Sequence, residues 1–200
     1  MSLQSDRLSP EHATETVRRI VAAQAVWDVH THLYPPTLGT PLQGAGRAAD
    51  PQGLLLWGID ELLTYHYLVA ELFRVVSPEK LSYDAFWRMS KGEQADLIWQ
   101  RLFWDRSPVS EACRGVLTTL ARLGLDPNES SLDRYRRWFA AQDPNRHIDR
   151  VMESAGIERI TMTNNVFDDN ERRRWLDGSA GRDRRFAAVL RIDRLLRDWP

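Results

Sequence analysis

At 200 residues the chain suits one domain or two small ones and is long enough to bury a sizeable core. Its 27 basic and 28 acidic side chains leave a formal charge of -1, which excludes a general polyanion binder, and its apolar runs are far too short to cross a bilayer. A single cysteine, Cys113, excludes an intrachain disulfide and a zinc knuckle; with no apolar leader at the N-terminus, the composition predicts a soluble cytoplasmic protein in a reducing compartment.

In chain order, Ser9-Pro10 predicts a helix start, a capping hydroxyl ahead of a proline, and Val17, Ile20, Val21 and Ala25 carry the periodicity to about Gln24. Val26-Trp27-Asp28-Val29-His30-Thr31-His32 is β-branched and aromatic and runs into Leu33-Tyr34-Pro35-Pro36, as a short strand ending in a loop does. That loop continues to about Gly53. From Trp57 to Met152 the pattern is helical, with starts at the Ser90/Glu93 capping box, Ser107-Pro108 and Asp143-Pro144 and stops at Gly124 and Gly156. Trp87, Trp99, Phe103, Trp104, Trp138 and Phe139 are spaced for the buried faces of these helices. His12 and His147 fall at polar helix positions without a role.

After Gly156 the period becomes 2, and Ile157, Ile160 and Met162 predict a strand ending in Asn164-Asn165. Asp168, Asp169 and Asn170 cap a short helix ending at Gly178. Phe186 to Asp193 is a third, mostly apolar strand, as in a sheet buried on both faces, and a further helix begins near Leu195. Strands separated by helices predict parallel β-α-β units. Three such strands cannot close a barrel, so the chain is expected to be the N-terminal part of something longer.

His30 and His32 are the sharpest chemical signal. Side chains two apart on a strand point the same way, so two imidazoles at its end can chelate one divalent ion.

Trp27-Asp28-Val29-His30-Thr31-His32-Leu33 resembles the first strand of the amidohydrolase superfamily, and within it the uronate (glucuronate) isomerase branch, whose strand reads Asp-Tyr-His-Cys-His-Leu before a proline. Three more segments agree in order: Trp57 to His66-Tyr67, Ile160 to Asn165, and Leu190-Arg191-Ile192-Asp193. The resemblance implies an α/β fold, the first three units of a metal-dependent (β/α)8 TIM-type barrel with a large helical insertion between strands 1 and 2. It divides the chain into 1–56 (helix, strand 1, loop), 57–152 (insertion) and 153–200 (strands 2 and 3). It further implies one divalent metal, zinc, on His30 and His32; catalytic contacts to a sugar acid from His66 and Tyr67; a substrate contact from Arg191; and an isomerase of carbohydrate metabolism whose partner is that small molecule, neither nucleic acid nor membrane, with a homo-oligomer compatible.

The chain departs from that branch at Ala70, where the family's His-Tyr-x-x-Arg has arginine, at Asn164-Asn165 in place of Asp-Asp, and at Leu190 and Ile192 in place of Trp and Pro. A site with one cation and two anions fewer points to an altered sugar acid. Two other readings fit the same residues: a metal-dependent hydrolase on the same barrel, and a non-catalytic helical interaction module or pseudoenzyme.

Overall fold

Among the described residues three strands form one parallel sheet in sequence order: β1 (Val26–Thr31), β2 (Ile157–Met162) and β3 (Phe186–Ala187). The computed structural model describes residues 9–31, 33–38, 58–162, 167, 169–178, 181, 183–189 and 192–197. Val26 pairs with Ile157, Asp28 with Ile160 and Thr31 with Met162, with two irregularities along the way; Ile160 and Thr161 pair in turn with Phe186 and Ala187. Parallel neighbours need a crossover, and the one between β1 and β2 carries most of the helices. The predicted order and direction of the strands are therefore observed.

The strands are shorter and barer than expected. Pairing of β3 stops at Ala187, Ala188 and Val189 lie outside the strand, and a helix begins at Asp193, so the apolar run to 193 is not one strand. Apolar side chains alone do not extend a ladder; β3 lacks a second neighbour among the described residues. The expectation of burial on both faces fails at β1, where no residue is buried and Val26, Trp27 and Val29 are exposed. Asn164 and Asn165 lie outside the described residues.

Helix α1 (Pro10–Ala23) starts as predicted, with Ser9 Oγ accepting from the His12 amide at 3.3 Å, and ends at Gln24. It contains no buried residue, and its stripe of Val17, Ile20 and Val21 faces solvent. The next six helices form a layer of their own: α2 (Ile59–Leu63), α3 (His66–Val75), α4 (Tyr83–Arg88), α5 (Lys91–Trp99), α6 (Glu111–Arg122) and α7 (Asp133–Ala140). Ile59, Leu63, Leu72, Phe86, Ile98, Leu120, Leu132 and Tyr135 fill its interior. Each such side chain contributes roughly 1.5 to 3 kcal/mol through burial. The capping box forms as read: Ser90 Oγ accepts from the Glu93 amide, while Glu93 Oε2 accepts from the Ser90 amide at 2.7 Å.

Two details of this layer differ from the sequence reading. Helix α6 is capped by Ser110, not Ser107-Pro108, because Ser110 Oγ accepts from the Cys113 amide at 3.2 Å and donates to Glu71 of α3 at 2.7 Å. Trp99 and Phe103 are buried and stack at 4.5 Å, yet Trp87 and Trp104 stand half in solvent. Trp104 closes a π-helical turn (Gln100–Trp104) that widens the end of α5 and breaks its period.

Helix α8 (Pro144–Ala155) is capped by Asp143 as predicted and ends at Gly156, whose φ of 66° a side chain would strain. Its Ile148 and Met152 pack on Ile160, Met162 and Phe186, together with Leu33 and Tyr34 just beyond β1, in a second, smaller core. Helices α9 (Asp169–Leu176) and α10 (Asp193–Arg197) follow β2 and β3. Among the described residues no helix is long and apolar enough to cross a membrane.

Candidate active site

The backbone of β1 stays extended to Thr31, so His30 sits exposed near the strand's C-terminal end. Asp28 Oδ1 accepts the His30 amide at 3.0 Å, and Thr31 Oγ1 accepts the Leu33 amide at 3.2 Å. These two bonds shape the exit from the strand before the chain dives into the smaller core at Leu33 and Tyr34. Earlier on the strand the Trp27 indole donates to Thr161 Oγ1 at 2.7 Å, and the Arg159 guanidinium lies 5.2 Å from the Trp27 ring, which ties β1 to β2 three residues ahead of His30.

His66 and Tyr67 open α3, both exposed, with ring centroids 4.2 Å apart. Tyr65 precedes them in extended conformation and turns its own ring to within 4.2 Å of His66 and 5.4 Å of Tyr67. Burial raises the Tyr65 phenol above the ordinary range, and the phenols of Tyr67 and Tyr34 add charge repulsion in the same direction.

The segment ahead of this cluster is clamped. Arg136 of α7 donates through Nε to Asp60 Oδ1 at 3.0 Å, and through Nη2 to Gly92 O at 3.1 Å and Asp96 Oδ1 at 2.8 Å, so one guanidinium joins α2, α5 and α7. Asp60 O in turn accepts from the Thr64 hydroxyl at 2.7 Å, immediately before Tyr65. Next to it the Glu61 carboxyl is buried; desolvation raises its pKa, partly offset by Lys91 Nζ at 3.6 Å.

A shallow cleft of about 480 Å³ lies past the end of β1, lined by Pro35, Pro36 and Thr37 and by Asn145, Asp149, Asp183, Arg184 and Arg185. Arg185 is held there by Asp183 and Asp149, with side-chain hydrogen bonds to Asp183 raising its pKa. His147, read from the sequence as a polar helix position, is buried: the rings of Trp138 and Phe139 lie 6.0 and 5.6 Å away, and desolvation lowers its pKa to about 4.

Of the residues singled out from the sequence, His30 stands at the end of β1 and His66 with Tyr67 at the start of α3. His32 and Arg191 lie outside the described residues, as does Trp57. Ala70 is exposed one turn beyond His66. Among the described residues no group of three or more His, Cys, Asp or Glu side chains is placed to hold a metal. Sequence reasoning passed over Tyr65 and Tyr34, although both flank the residues it chose; the aromatic run Tyr65-His66-Tyr67 was the available signal.

Neither a protein-family model nor a curated protein sequence matches the chain. A solved structure does: the crystal structure of a uronate isomerase from Bacillus halodurans C-125 is similar at 49% sequence identity with a TM-score of 0.81, over 97% of this chain and 42% of that one. The chain therefore spans about two-fifths of the length of that isomerase.

Proposed function

We propose that this chain is part of a uronate isomerase, an enzyme interconverting an aldose acid and a ketose acid, and that its sheet supplies the first three strands of a (β/α)8 barrel. The structural likeness at 49% identity is the observation that carries the reading, and the parallel β1-β2-β3 order is compatible with such a barrel. In this reaction a proton leaves C2 and one arrives at C1, while the C2 hydroxyl becomes a carbonyl and the C1 carbonyl a hydroxyl, so no net oxidation occurs. His66 and Tyr67 hold or pass protons at the substrate hydroxyl oxygens, and Arg191 grips the carboxylate through paired hydrogen bonds.

His30 and His32 would hold a divalent metal, zinc. The extended backbone through Thr31 and the exposure of His30 suit such a donor; a catalytic zinc takes three protein ligands, so at least one more must come from elsewhere. When bound, the ion polarises a substrate oxygen.

The test is a coupled assay with glucuronate, galacturonate and other sugar acids on the protein carrying this chain, with and without zinc, beside His66→Ala and Arg191→Ala. Turnover of a uronate that both variants lose is expected; wild-type turnover by both would remove these residues from the site. Hydrolysis of amides or esters without isomerisation would replace the reading with a hydrolase. At Ala70 the same assay sharpens the substrate: Ala70→Arg should lower KM for a hexuronate by about 10-fold or more, since a charge-assisted hydrogen bond contributes roughly 1.5 to 3 kcal/mol.

A further inference from the structure

Three consecutive residues do not ordinarily bring their side chains together at a helix start, because neighbours in a helix point about 100° apart. At Tyr65-His66-Tyr67 they do meet, with centroid separations of 4.2, 4.2 and 5.4 Å. Tyr65 makes this possible. It stands just outside α3 at φ -66° and ψ 143°, and its carbonyl accepts the amides of Leu68 and Val69 at 3.0 and 3.2 Å. Helices prefer Ser, Thr, Asp or Asn at this position, where the side chain caps an amide; Tyr65 makes no such bond. The capping contribution is absent, and a half-buried ring lies beside two exposed ones instead.

We propose that Tyr65 is a positioning residue of the sugar-acid site: its ring fixes the His66 imidazole and the Tyr67 phenol relative to each other. This rests on the assignment of His66 and Tyr67 to that site. Burial, and then the repulsion that Tyr67 exerts on an ionised Tyr65, raise the Tyr65 phenol in agreement with these ring contacts.

Two variants and two readouts test it. In the 200-residue chain the imidazole Hε1 resonance of His66, assigned by its loss in His66→Ala, reports the neighbouring ring currents without any activity. Tyr65→Phe should leave it in place, and Tyr65→Leu should move it toward the position of exposed His12. In the protein carrying this chain, Tyr65→Leu should lower kcat about 10- to 100-fold with KM changed less than about threefold, the signature of misplaced groups, and Tyr65→Phe should restore kcat. An unmoved His66 resonance in Tyr65→Leu overturns the proposal, as does wild-type kcat in that variant. A parent protein that turns over no sugar acid sinks the uronate reading, while the resonance still decides whether Tyr65 positions His66.

Discussion

In the helical layer Leu63, Leu72, Phe86 and Ile98 expose none of their surface, whereas in the first strand of the sheet Trp27 and Val29 keep 57% and 70% of theirs. The layer closes its own core with residues from α2 to α7, while the sheet leans on α8 through Ile148 and Met152. The difference separates two tasks. Packing energy is concentrated in the layer's interior, beneath the exposed His66 and Tyr67 at the start of α3, and β1, the strand of His30, is held by its ladder, by Trp27 and by the residues just beyond it. A scaffold arranged this way lets the strand end change without loss of the fold.

The largest expected effect opposes the two regions directly. In the 200-residue chain Phe86→Ala should cost about 3 to 5 kcal/mol, and Val29→Ala should stay within about 0.5 kcal/mol. Urea unfolding followed by tryptophan fluorescence gives both values, and equal costs would erase the distinction. His147 tests the joint between the regions, since it sits on α8 against the rings of Trp138 and Phe139 of α7. Its folded pKa of about 4 lies below the ordinary 6.5, so the unfolded chain binds the proton first as pH falls. The stability it contributes is complete above pH 6.5 and is lost as pH drops toward 4, by about 3 kcal/mol in all. His147→Phe should remove that part of the acid sensitivity; the same slope in variant and parent between pH 7 and 4 would place the titration elsewhere.

Smaller effects belong inside the layer. Arg136→Lys keeps the charge but cannot reach Asp60, Asp96 and Gly92 O together, and should cost about 1 to 2 kcal/mol. Hydrogen exchange should quicken at the amides of Leu62 and Thr64 and stay unchanged in β2; a uniform increase would mean that the clamp stabilises the whole chain. Ser90→Ala should cost about 1 kcal/mol through the lost cap, read as a shift in urea midpoint.

Local signals were the legible ones. Ser90 with Glu93, Asp143-Pro144 and Gly156 each act within a few residues, and each ends or begins a helix where the sequence places it. The strand order was legible too, because helices between strands leave little choice but parallel pairing. What failed depended on distant partners. Ser110 displaces Ser107 as a cap because Glu71, 39 positions away, accepts its hydroxyl. Trp104 faces outward because the π-helical turn adds a residue and rotates the period. His147 looks polar in sequence and is buried by rings from α7. At the site, His66 and Tyr67 were marked by resemblance, but the role of the extended Tyr65 depends on a backbone conformation that composition does not encode.

The hydrogen bond from the His30 amide to Asp28 also bears on how the chain is made. Trp27 and its partner Thr161 are 134 positions apart, so on a ribosome adding roughly 5 to 20 residues per second β1 waits roughly 7 to 27 s for the strand it pairs with. Through that interval an apolar strand with bare amides is a template for its neighbours on the same message. In the folded chain the Asp28 carboxylate accepts one of those amides from within the strand itself, at a span of two residues, so this bond needs no partner strand to form. Nascent chains crowded on one polysome therefore find one fewer anchor on β1, and a negative charge beside it.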